Sequence, residues 1–213
     1  LLGEAGIAQA RVVGPGFVNV TLERGARCAL VRELAASGTG PSPCDRPGVD
    51  IPRWAAATGE PAARLAVRTA RASSLFRVQY AYARTQALLR YGREVGVLPD
   101  AGCVDVEGAV PGADPVPEAA FGAGSGGGGG GRSAALLALL ADRARVTEPG
   151  ALARHLDAVA GAFFDFHDAC PPLPAGDEKP GAAHRGRLAL AEATGAVLAG
   201  GLAQLGVTAP ARI

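Results

Sequence analysis

A chain of 213 residues has room for one domain or one and a half, and an apolar share of 48% is enough to build a core. A formal net charge of +1 excludes a global electrostatic pull on nucleic acid, and 31 Gly and 16 Pro make much of the chain punctuation. Cys28, Cys44, Cys103 and Cys170 are scattered, with no Cys-x-x-Cys pair and no His at ligand spacing, which argues against a zinc framework; no apolar run reaches the roughly 20 residues that span a bilayer.

Residues 1–31 read as a short helix-like start followed by strands. RVVGPGFVNVTLE holds a Gly-Pro-Gly turn and then an alternation, with Phe17, Asn19 and Thr21 on one side and Val18, Val20 and Leu22 on the other. The chain opens Leu1-Leu2 and contains no Met, so its natural start is expected to lie upstream. Residues 32–52, rich in Gly, Pro and Ser, read as a linker. Residues 53–72 are basic and weakly helical. Trp54, the only Trp, reads as a half-buried anchor, with stacking on a base as the alternative.

Residues 73–95, SSLFRVQYAYARTQALLRYGREV, have no Pro, one Gly and a composition of helix formers. The two serines are candidate N-caps, and the helix is expected to reach about Gly96. At helical spacing Arg77, Tyr80, Arg84 and Tyr91 fall within a roughly 60° arc of one face. Arginines and aromatic rings supply what unpaired RNA bases need: stacking surfaces, cation–π contacts and positive charge for phosphate. The plainer reading makes the tyrosines core and the arginines a solvated rim.

Residues 97–133 read as a long flexible insert, with Pro99, Pro111, Pro115, Pro117 and the glycine run 126–131. No strand precedes that run and no Lys-Ser/Thr follows it, so it does not fit a phosphate-binding loop. AALLALLADRAR, residues 134–145, reads as a helix with Leu136, Leu137 and Leu140 on its apolar face. A longer helix, with Thr147 as N-cap and Pro149 in its first turn, is expected to about Asp168, with Leu152, Leu156, Val159, Phe163 and Phe166 along the core side. His167 and Asp168 are adjacent on that helix, point about 100° apart, and so read as a solvated helix end rather than an acid–base dyad. After a Pro-rich loop, residues 185–205 form the last helix, with Leu188, Ala191, Gly195, Leu198, Leu202 and Leu205 on one side and Gly206 as its C-cap.

Charge is distributed unevenly. Between Arg53 and Asp100 eight arginines (53, 64, 68, 71, 77, 84, 90 and 93) face only Glu60, Glu94 and Asp100, a local excess where an RNA footprint needs one.

LFRVQYAYAR, residues 75–84, resembles the start of the anticodon-binding domain of arginyl-tRNA synthetases, with Tyr82 where that family usually has His. ARHLDAVAGAFFDFHDACP resembles a second segment of the family, and RLALAEATGAVLAGGLAQLGVTAPARI its C-terminal stretch, with Ala211 in place of Glu and Ile213 in place of the terminal Met. GPGFVNV resembles the last strand of the family's N-terminal additional domain. The resemblance implies a mainly α fold: a helical bundle of the class I synthetase anticodon-binding type, preceded by a short α+β remnant. The implied boundaries are 1–31 for the remnant, 32–72 for a linker and connecting helix, and 73–213 for the anticodon-binding domain with the insert 97–133. By resemblance Tyr80 and Arg84 contact the anticodon loop, with Arg77 and Tyr91 extending the patch. Pro210, Arg212 and Ile213 lie near the anticodon, and Phe17 and Asn19 reach a base of the tRNA D-loop. For Phe17 and Asn19 an edge strand with a buried Phe and a turn-forming Asn is an equal alternative.

In that family a nucleotide-binding catalytic domain carries a His-x-Gly-His type signature and a Lys-rich loop. Here His155, His167 and His184 stand in no such motif and Lys179 is the single lysine. No catalytic residue, metal or cofactor is therefore expected. The leading expectation is a non-catalytic, cytoplasmic relative of arginyl-tRNA synthetase that binds tRNA, the arginine tRNA first. The alternatives are a piece of an arginine-tRNA ligase whose ATP-dependent chemistry lies elsewhere, and a helical protein-interaction module without RNA binding. No membrane partner is expected.

Overall fold

The computed structural model describes residues 6–13, 17–38, 40, 42, 44–104 and 129–213. The Gly14–Pro15–Gly16 turn and most of the expected insert lie outside them. Strands β1 (Ile7–Val13) and β2 (Phe17–Leu22) pair antiparallel, Val12 opposite Val18 and Arg11 opposite Asn19. Ile7 to Ala10 thus belong to a strand rather than to a helix-like start. Seven helices follow among the described residues: α1 (Arg24–Ala36), α2 (Pro47–Thr58), α3 (Ala62–Leu65), α4 (Ser74–Glu94), α5 (Gly129–Asp142), α6 (Pro149–Ala169) and α7 (Ala182–Gln204). The protein is mostly helical with one small two-stranded sheet.

The stretch 32–52 is more ordered than its composition suggests. Helix α1 continues to Ala36 and buries Cys28 and Val31, while α2 begins at Pro47. Proline suits the first helical position, where the missing N–H has no partner to lose, so a Pro in this stretch opens a helix instead of a linker. Trp54 of α2 is fully buried and its Nε1 donates to Ser74 Oγ at 2.8 Å, which removes it as a stacking platform for a base.

Helix α4 starts where the serines indicate: Ser73 Oγ accepts from the Phe76 N–H at 3.1 Å. It packs on α6 and α7; α1 covers α7, and α5 covers α6. The core side of α6 is as expected, with Leu152, Leu156, Val159, Phe163 and Phe166 all inaccessible, and Leu136, Leu137 and Leu140 of α5 are buried with them. Three helix starts differ, that of α7 by three residues, at Ala182 instead of Arg185. Helix α5 begins at Gly129, inside the glycine run expected to be loop. Helix α6 is capped by Glu148, not Thr147: its carboxylate accepts the Gly150 and Ala151 N–H groups at 3.1 and 2.7 Å. Those two bonds hold the Glu148 carboxyl below the usual range.

Helices α4 and α7 approach closely. A Cβ at Gly195 would stand 2.6 Å from Thr85 Oγ1, so the space left by the absent side chain sets the interhelical distance. Gly206, at φ +68°, closes α7. Its N–H bonds Ala203 O and the Val207 N–H bonds Leu202 O, the two bonds of a Schellman end. The chain then runs on through buried Val207, Thr208 and Ala209 to exposed Arg212 and Ile213.

Candidate nucleic-acid interface

The three tyrosines of α4 divide between the two readings. Tyr82 is core, 2% exposed, and its burial raises the pKa of its hydroxyl. Tyr80 and Tyr91 are 40% and 51% exposed. They are eleven residues apart, three full turns, and share one outward face. Val78, Gln79, Ala81, Tyr82, Thr85, Leu88 and Leu89 are among the buried residues of the helix.

Around Tyr80 the surface is an aromatic ladder. Phe76 lies one turn before it, ring centroids 5.8 Å apart and planes 8° apart, and Phe164 of α6 stacks on it at 5.7 Å and 25°. Offset stacking of this kind adds to plain burial and leaves part of each ring face open. Arg68 carries its guanidinium 5.4 Å above the Phe76 ring and pairs with Asp45 at 2.5 Å. Phe76 and Phe164, half-buried at opposite ends of the ladder, lay outside the sequence-based set. The period-3.6 pattern places Phe76 one turn before Tyr80, but only the packing of α6 on α4 brings Phe164 to it.

Arg84 continues the face toward the end of α6. Its Nη2 lies 3.4 Å from His167 Nε2, and His167 Nδ1 lies 3.3 Å from Asp168 Oδ1. A guanidinium only donates, so His167 Nε2 is the acceptor and the ring proton sits on Nδ1, facing the carboxylate. His167 therefore differs from the solvated helix end expected of it. Its ring tilts against Phe163 at 6.1 Å, and it does meet its neighbour Asp168. A flexible carboxylate that is 82% exposed spans the angle between adjacent helix positions.

Arg77 is differently disposed. Its Nε and Nη2 grip Asp157 of α6 at 2.7 and 2.5 Å, and that hydrogen-bonded pair raises the guanidinium pKa. Arg64 pairs with Glu60 at 3.9 Å. The arginine excess counted along residues 53–100 is thus reduced in space, since Asp45 and Asp157 come from outside that window. Arg71 is exposed and makes no hydrogen bond or ion pair among the described residues.

The C-terminal residues reach α4 from another side: Arg90 Nη1 donates to Ala211 O at 3.4 Å, next to Tyr91 in sequence, and Arg212 and Ile213 follow, both exposed. Asn19 is exposed on β2, at a groove of about 850 Å³ formed with α5, Phe166 of α6 and the first turns of α7. Residues of α4 do not line that groove, so Asn19 and Tyr80 occupy separate surfaces. Phe17 pairs with Val13 in the hairpin register; its side chain lies outside the described residues. Among the described residues no cluster of His, Cys, Asp and Glu fits a metal ion, and no helix is long and apolar enough to cross a membrane.

Residues 133–213 match the family described as DALR anticodon binding domain. The match takes in most of α5, all of α6 and α7, and the C-terminal segment. Phe164 and His167 lie inside it; Tyr80 and Arg84, which pack on them, lie on the helix just before it.

Proposed function

We propose that the chain binds tRNA through this helical domain, with the outward face of α4 as its centre. One observation carries the reading: the exposed Tyr80–Arg84 face is built onto the helix of the matched anticodon-binding region, with Phe164 and His167 completing one continuous surface. Such a surface combines stacking rings with fixed guanidinium groups, the combination that single-stranded RNA loops engage. Tyr80 and the ladder around it stack on unpaired bases. Arg84 donates to phosphate or a base edge, Tyr91 extends the platform, and Arg212 and Ile213 add contacts from the Arg90 side of α4. Arg77 supports the face by holding α6 to α4. Phe17 and Asn19 are assigned a second, separate contact on the tRNA body.

The arginine tRNA is the proposed ligand, on the resemblance of residues 75–84 to arginyl-tRNA synthetases, and the cytoplasm the proposed location. The proposed role is non-catalytic; aminoacylation needs ATP and arginine handled by groups other than these. Binding of the purified chain to arginine tRNA and to a non-cognate tRNA, at two salt concentrations, is the test. Tight, salt-sensitive binding that prefers the arginine tRNA supports the reading, and binding no better than background overturns it.

A protein-interaction bundle is the second reading. It is favoured by the internal neutralisation of Arg64, Arg68 and Arg77, which lowers the positive potential of the face. RNA binding insensitive to salt, or absent, with retention of a protein partner distinguishes it.

A further inference from the structure

The C-terminal segment is held by a carboxylate distant from it in sequence. Asp50 of α2 is 1% exposed. Its Oδ1 accepts the Thr208 N–H at 3.0 Å, and its Oδ2 accepts the Thr208 hydroxyl at 2.5 Å, the Arg46 N–H at 2.9 Å and the Gln79 side-chain amide at 3.3 Å. Gln79 Nε2 also donates to Thr208 O at 3.0 Å. Beyond Thr208, the Ser42 N–H donates to Ala209 O at 2.9 Å, the Ala209 N–H reaches Ser42 Oγ at 3.4 Å, and Ser42 forms a parallel bridge with Pro210.

A buried carboxylate is retained only when donors satisfy its lone pairs, and here two of the four come from the segment itself. Past Val207, whose N–H still bonds Leu202 O of α7, no helix or sheet ladder fixes residues 208–211, so their backbone groups depend on Asp50, Gln79, Ser42 and Arg90. Gln79 immediately precedes Tyr80. One network thus sets the end of the chain and the helix turn that presents the aromatic ladder.

We infer that Asp50 is a positioning residue for RNA: it does not touch the ligand, but fixes the C-terminal segment, and with it exposed Arg212 and Ile213, on the Arg90 side of α4. The inference rests on the proposed function for its RNA half and on the hydrogen bonds alone for its structural half. It makes α2, outside the matched region, part of the binding apparatus.

The test uses the full chain and arginine tRNA. Asp50→Asn keeps the shape but replaces one acceptor by a donor among donors. Thr208→Val, which removes a single hydroxyl, serves if the first variant does not fold. The expected result is at least tenfold faster hydrogen exchange at the Thr208 and Ala209 amides, with α6 protection unchanged. Affinity for tRNA falls by the same factor as in a chain lacking Arg212 and Ile213, and combining the two changes gives no further loss. Exchange at 208–209 that stays slow overturns the clamp, and losses that multiply overturn its action through the tail. Wild-type chain that binds no tRNA overturns the proposed function and the contact role of the tail with it, while the exchange result still decides whether Asp50 holds the segment.

Discussion

Tyr80 carries the sharpest prediction at the scale of single residues. Its ring is 40% exposed between Phe76 and Phe164. If it stacks on a base, Tyr80→Ala lowers tRNA affinity by about 1–3 kcal/mol while Tyr80→Phe retains most of it; unchanged affinity in Tyr80→Ala removes the ladder from the interface. A second prediction concerns pH. His155 is half-buried, its Nε2 has no hydrogen-bond partner among the described residues, and burial first, then Arg143, pushes its pKa below the usual 6.5. The unfolded chain therefore binds more protons than the folded one at acid pH. The proton-linked cost of His155 is absent well above pH 6.5, and stability is lost as the pH falls through that value. Urea unfolding at pH 7.5 and 5.5 is expected to show a larger acid loss for the wild type than for His155→Gln. Equal losses in the two proteins contradict this.

Between elements, the decisive contacts join α4 to its neighbours. The bidentate Arg77–Asp157 pair is partly exposed, so its loss in Asp157→Asn costs only about 1 kcal/mol of stability. The same change removes a negative charge beside the aromatic face. Under the proposed function, tRNA affinity rises in Asp157→Asn although thermal stability drops slightly, and isothermal titration beside a melting curve reads both. Gly195→Ala acts on the α4–α7 contact. A Cβ 2.6 Å from Thr85 Oγ1 forces the helices apart or Thr85 off its bond to Tyr82 O, a cost of about 1–3 kcal/mol measurable as a lower urea midpoint. An unchanged midpoint means that the contact relaxes freely.

For the whole molecule, the net charge of +1 leaves little long-range attraction, so under the proposed function RNA binding rests on a few local contacts. Two or three phosphates neutralised by Arg84, Arg71 and Arg212 correspond to a slope of about −2 in log affinity against log salt. A steep slope indicates a larger basic footprint than this face provides, and a flat one favours the protein-interaction reading. The local arginine excess, counted along the chain, overstated the field because Asp45 and Asp157 meet Arg68 and Arg77 only after folding.

Helix positions and core sides were legible because they are local: a 3.6-residue period and a cap residue are properties of short segments, and the core sides of α5, α6 and α7 were readable from Leu, Val and Phe spacing. Pro149 and Gly206 marked helix ends correctly, but the helices inside the Gly- and Pro-rich stretch 32–52 were not legible. Helices α1 and α2 carry residues that punctuate in isolation but are stabilised here by burial against α7 and α6. Composition and motif alone determined that the chain is mainly helical and that α4 presents arginine and tyrosine on one stripe. Which tyrosines face water, which arginines are neutralised, and how Asp50 reaches Thr208 across 158 positions were decided only by the tertiary structure, because those facts depend on groups far apart in sequence. No periodicity encodes a contact between separate elements; it arises when their apolar faces pack and bring the polar groups at the rims within reach.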